Sequence, residues 1–114
     1  MSRRLNPYAL FTLALALMFP VSRADAQKLS EASRLGAFSG AMQYCADEHG
    51  GSDRRYQRAR RRAASEVSDM SKSEQRKAIA ARDRARERGQ FLGKKLDEKQ
   101  CGELLRMSEW KRYQ

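Results

Sequence analysis

After residue 26 the chain has almost nothing from which to build a sheet: Val67 and Ile79 are its only β-branched residues. Its apolar residues recur instead every three or four positions, the period of one helical face. This pairing predicts an all-α fold, a small three- to four-helix domain over residues 27–114. The first helix is expected over 28–49, where Leu35, Phe38, Ala41, Met42 and Cys45 form one stripe. Gly36 and Gly40 lie beside that stripe, four residues apart, and would let another helix approach closely. Gly50 and Gly51 end the helix, with Ser52 or Asp53 capping the next.

A second helix is predicted over 53–69, with Tyr56, Ala59, Ala63, Val67 and Met70 on its buried face. Ser71 and Glu74 make a capping-box pattern, so a third helix is expected over 71–92. Its face is thin: Ala78, Ala81, Ala85 and Leu92 align with Gly89, and Ile79 flanks them. Such a helix either packs closely through alanine or stays partly exposed. The stretch 93–95 reads as a connector, and no strand is expected anywhere. A fourth helix begins at Asp97, which with Gln100 forms a cap, while Leu96 can pack on Cys101 as a staple. Trp110 and Tyr113 follow, and Trp110 is expected to fold back onto the core.

Residues 1–26 have the form of a cleaved signal peptide. Arg3 and Arg4 supply a positive start, residues 8–19 a short apolar core, and Ala24-Asp25-Ala26 a small-x-small cleavage site. The apolar run 9–21 covers about 20 Å as a helix, short of the roughly 30 Å hydrocarbon core, so no transmembrane anchor is expected. The expected location is periplasmic or secreted, with Gln27 as the mature N-terminus.

That location gives meaning to the two cysteines. A chain this small, with alanine filling much of its interior, buries too little apolar surface to be more than marginally stable. In an oxidising compartment Cys45 and Cys101 are expected to form an intramolecular disulfide. Closing a loop of about 57 residues stabilises the fold by about 4 kcal/mol on the chain-entropy model. A redox-active pair or an intermolecular bridge is disfavoured, because no Cys-x-x-Cys is present and an unpaired thiol in this compartment would be a liability. The bridge would join the end of the first helix to the start of the fourth and clamp the segment between them.

Within that segment lies the charge. Residues 27–114 carry 21 Lys and Arg against 13 Asp and Glu, and residues 54–88 alone carry 13 against 5, so the whole excess of +8 resides there. Arginine dominates, which favours forked contacts to carboxylate or phosphate. On the second helix Arg54, Arg58, Arg61 and Arg62 follow an i, i+4, i+7, i+8 spacing and gather on one side, away from Tyr56, Ala63 and Val67. Glu66 and Asp69 come only in its last turns, whereas the third helix interleaves Glu74, Asp83 and Glu87 among its arginines. The four arginines are therefore the candidate binding residues, and the alternative is a solvated surface.

The search for chemistry yields no catalytic set. His49 is the single imidazole and sits at a helix end, without the nucleophile and orienting group a triad needs. Asp47, Glu48, His49 and Asp53 point in several directions, so no metal or other cofactor is expected. Asp83 and Glu87 are surrounded by arginine and read as ion-pair partners. No phosphate loop or nucleotide fingerprint is present.

Three function classes follow, none of them enzymatic. The first is a binding protein, inhibitor-like or immunity-like, whose arginine face meets an anionic envelope component or an acidic protein partner. The second is a periplasmic stress chaperone: a small exported helical chain with cysteines as far apart as Cys45 and Cys101 resembles, in outline, the acid-stress periplasmic chaperones. That resemblance implies a holdase, although the arginine excess departs from the family's pattern. The third, nucleic-acid binding, has the charge but no reading motif, and export argues against it. The sequence leaves the oligomeric state open.

Overall fold

The computed structural model describes residues 29–114, so the leader expected over 1–26 lies outside the described residues. Four α-helices run in order, α1 (Glu31–His49), α2 (Arg55–Ser68), α3 (Lys72–Arg88) and α4 (Glu98–Arg106), followed by a 3-10 helix (Ser108–Tyr113). The chain is mostly helical, as the residue spacing predicts. The first helix begins three residues later than expected, because the Ser30 hydroxyl accepts from the Ser33 N–H at 3.1 Å and fixes the N-terminus there.

α1 is the central element, with α2 and α3 both packed on it and touching each other little beyond their connecting turn. The contact with α3 is made backbone to backbone. A Cβ at Gly36 would collide with the Ala78 carbonyl, and one at Gly40 with the Arg82 carbonyl. The two contacts advance together along both chains, so α1 and α3 are parallel and α2 runs opposite to them. Ala78, Ala81 and Ala85 fill the seam, which resolves the thin face of α3: it packs closely through alanine. The expected stripe of α1 is buried, and on α2 Tyr56, Ala59 and Ala63 are buried while Val67, and Met70 in the turn beyond the helix, are partly covered.

Two expectations are corrected in residues 89–95. α3 stops at Arg88 rather than near residue 92, because Gly89 takes a left-handed conformation (φ 61°) and a Cβ there would meet the Tyr44 ring at 2.7 Å. The stretch read as a connector is a short antiparallel hairpin, β1 (Gln90–Phe91) and β2 (Lys94–Lys95), with Gln90 opposite Lys95 and Phe91 opposite Lys94. β-branched residues are not needed for two pairs of residues; a tight turn at Leu92-Gly93, both at positive φ (48° and 87°), is enough. Leu92, expected on the buried face, is 45% exposed at that turn. The Leu96 N–H donates to the Gly89 carbonyl at 2.8 Å and closes the hairpin onto the end of α3.

The far end of the core is aromatic and covalent. Trp110 stacks on Phe38 with ring centroids 4.3 Å apart and meets Phe91 edge-on at 6.0 Å. Trp110 and Tyr113 are both buried, so the C-terminal turn folds back on α1. Cys45 and Cys101 are bonded, with their Cα atoms 5.8 Å apart, tying the last turn of α1 to the first turn of α4. Asp97 caps α4 by accepting from the Gln100 N–H at 2.7 Å, and Leu96 is buried next to it. No helix among the described residues is long and apolar enough to cross a membrane.

Candidate anion-binding face

α2 owes its orientation to one narrow stripe. Tyr56, Ala59 and Ala63 face α1, and the helical period then turns Arg54, Arg58, Arg61 and Arg62 outward; all four are exposed. The start of the helix adds to the cationic field. Arg54 is the N-cap residue without a side-chain cap bond, and no acid occupies the first turn. Cations at this positive pole of the helix dipole are each unfavourable by about 0.3 to 1 kcal/mol when exposed.

One anion serves this pole from within. Asp53 Oδ1 accepts from the Arg55 N–H at 2.9 Å, and the Asp53 carboxylate accepts three further bonds from the Arg55 guanidinium, Nε reaching both oxygens and Nη2 reaching Oδ2. The bond to the Arg55 side chain, then that to its backbone, holds the Asp53 carboxyl below the usual carboxylate range. Asp53, one of the two expected caps, thus acts from one residue before the N-cap Arg54, and Arg55, outside the four candidates, is the arginine it neutralises.

Three further acids are paired away from this face, whereas Glu87, expected in an ion pair, has no cation within 4.0 Å among the described residues. Glu66 is bound by Arg112 at 2.9 Å and accepts from the Tyr113 hydroxyl, Glu109 takes both its oxygens to Arg34 at 2.6 and 2.8 Å, and Asp83 pairs with Arg82 at 3.0 Å. Among the described residues no carboxylate side chain lies within 4.0 Å of the guanidinium nitrogens of Arg54, Arg58 or Arg61. Arg62 differs from them, because it donates to the backbone oxygen of Gln114 and helps hold the C-terminal turn. The four candidates divide accordingly into three arginines without an ionic partner and one with a backbone acceptor.

The Glu66 cluster was not visible in the sequence as a unit. Tyr113 is buried, and desolvation, followed by its bond to Glu66, pushes its phenol up; burial pushes Tyr56 up as well. Arg112 also lies 4.9 Å over the Tyr113 ring. A terminal Lys-Arg-Tyr segment carries no positional signal of its own, and only the return of the chain over α1 brings it to Glu66.

Recesses adjoin the helices. Gly36, Ser39, Ala64, Val67, Ile79 and Arg82 surround a cleft of about 230 Å³ where α2 and α3 part over α1. A second, about 220 Å³, lies where α1 and α3 meet the hairpin, and a third, about 360 Å³, borders the Arg34–Glu109 pair and Trp110. His49 lies edge-on to Tyr44, ring centroids 6.1 Å apart. Among the described residues no three His, Cys, Asp or Glu side chains gather as a metal site. No protein-family model, no curated protein and no solved structure matches this chain.

Proposed function

We propose that the protein is an exported binding protein whose α2 arginine face captures an anionic envelope component or an acidic surface of another protein. The observation that carries this reading is the distribution of acids: Asp53, Glu66, Asp83 and Glu109 each satisfy another arginine, and Arg54, Arg58 and Arg61 are left exposed on one side of a helix. Guanidinium groups in that position repel one another and the helix dipole, and a bound polyanion relieves both costs. Export is the expectation set by residues 1–26, and the Cys45–Cys101 bond is compatible with it.

The arginine face has no large exposed apolar neighbour on α2, so its affinity is electrostatic and declines with salt. A holdase needs a broad exposed apolar surface; of the exposed large apolar residues among those described, Leu29 and Leu92 border one recess while Ile79 and Met107 lie outside it, too few for such a surface. The test is affinity capture from an envelope extract on the oxidised protein, with elution by salt. Arg58→Glu, Arg61→Glu and Arg62→Glu together are expected to abolish capture while the circular-dichroism spectrum stays helical. Capture with unchanged affinity and salt dependence would contradict the proposal.

A further inference from the structure

The recess beside the hairpin combines features absent from the α2 face. Ala37, Ala81 and Ala85 form its apolar floor, Leu29 and Leu92 stand at its edges 48% and 45% exposed, and Arg84 and Arg88 line it. Neither arginine has a carboxylate within 4.0 Å among the described residues. Lys95 is directly opposite Gln90, a lining residue, and cross-strand partners project from the same side of a hairpin, so a third cation lies on that side of the hairpin, just outside the lining. No residue of α2 contributes to it.

Leu92 is the telling residue. It occupies the first central position of the turn with φ 48°, a region favoured by Gly, Asn and Asp and disfavoured by a side chain such as leucine. Nothing in the core compensates, since Leu92 is half exposed and not part of it. An exposed leucine held at a conformational cost on a hairpin tip, with cations around it and an apolar recess beneath, suits an interface that is apolar a few ångströms below a layer of negative charge.

We propose that this face docks on an anionic phospholipid bilayer, with Leu92 and Leu29 entering the acyl boundary and Arg84, Arg88 and Lys95 meeting the phosphates. The α2 face carries charge without an apolar side chain; this one carries both, and that combination distinguishes a lipid interface from a polar polyanion. The proposal is independent of what α2 binds.

The test is partitioning of the oxidised protein onto vesicles of equal phosphatidylglycerol and phosphatidylcholine, with pure phosphatidylcholine vesicles as reference. Binding is expected to the anionic vesicles only. Leu92→Asn is expected to weaken it about tenfold, while its melting temperature equals or exceeds the parent's, because asparagine adopts the left-handed region more readily. Arg84→Gln with Arg88→Gln is expected to weaken binding about thirtyfold at low salt and little at high salt. Since each variant is compared with a parent of identical N-terminus, any contribution of residues 1–26 cancels. Equal binding to both vesicles, undiminished binding of Leu92→Asn, or binding to an acidic peptide but not to vesicles would overturn the proposal.

Discussion

α2 and α3 look interchangeable as strings of alanine and arginine, and they carry the same net charge: five arginines against Glu66 in one, seven basic residues against Glu74, Asp83 and Glu87 in the other, +4 each. Their environments separate them. α3 follows the dipole, with Glu74 in its first turn and Arg86 and Arg88 in its last, and lies so close to α1 that glycine is required at two positions. α2 opposes the dipole, with Arg54, Arg55 and Arg58 at its positive pole answered by Asp53 alone, and within the helix an acid only near its end. Net charge is therefore a poor guide to a binding face. What counts is where the acids lie and how far the opposite side is committed to packing.

The disulfide underlies both helices and gives the largest expected effect. Replacing Cys45 and Cys101 by serine is expected to cost about 2 to 5 kcal/mol, read from urea melts of the two forms. The loss should be uneven. Amide exchange in the serine variant is expected to rise more in α2, held by Tyr56 and two alanines, than in α3, which keeps its backbone seam. An unchanged urea midpoint would show that the helices hold without the bond.

Next comes the seam itself. Gly36→Ala is expected to destabilise by about 3 kcal/mol, because its Cβ meets the unyielding Ala78 carbonyl and forces α3 away. Helix propensity alone predicts the opposite, a gain of up to about 1 kcal/mol. A thermal melt distinguishes the two by sign, and a raised melting temperature would break the contrast between α2 and α3.

A smaller effect concerns the anchoring of α2 to the C-terminal turn. Tyr113→Phe removes the hydroxyl that donates to Glu66 and is expected to cost about 1 to 2 kcal/mol, measured by chemical denaturation. It also changes the alkaline limb. A phenol whose folded-state pKa is raised holds its proton more tightly folded than unfolded. The contribution of Tyr113 and Tyr56 is thus complete below about pH 10 and is lost as pH rises through the folded values. Stability measured across that range should fall in the parent and fall less in Tyr113→Phe.

The helical faces were legible because a three-four spacing has one physical solution when β-branched residues are scarce. The disulfide followed from two cysteines, the caps of α3 and α4 from Ser71 and Asp97, and the close seam from Gly36 and Gly40. The hairpin was not legible. Its turn uses Leu92 where the usual signal is asparagine or aspartate, and Gly89, read as one more small residue on a helical face, ends the helix instead. For the arginine face, spacing alone placed Arg54, Arg58, Arg61 and Arg62 on one exposed side. That Arg62 is held by Gln114, and that Glu66 is occupied by Arg112 and Tyr113, depends on contacts over about fifty positions of chain, which no local pattern encodes.

The comparison is tested most directly by reversing equal charge on the two helices. Arg58→Glu with Arg61→Glu on α2, and Arg76→Glu with Arg86→Glu on α3, change exposed residues only and lower the net charge by the same amount. Each pair is expected to alter stability by about 1 to 2 kcal/mol, upward on α2, where an acid joins the positive pole, and downward on α3, where Glu replaces the last-turn Arg86. The measurement is the salt concentration at which each protein elutes from a polyanion matrix. If the α2 face is the binding surface, the α2 pair elutes at markedly lower salt than the α3 pair, which stays near the parent. Identical shifts in the two variants would show that the matrix senses total charge alone, and would contradict the assignment of binding to α2.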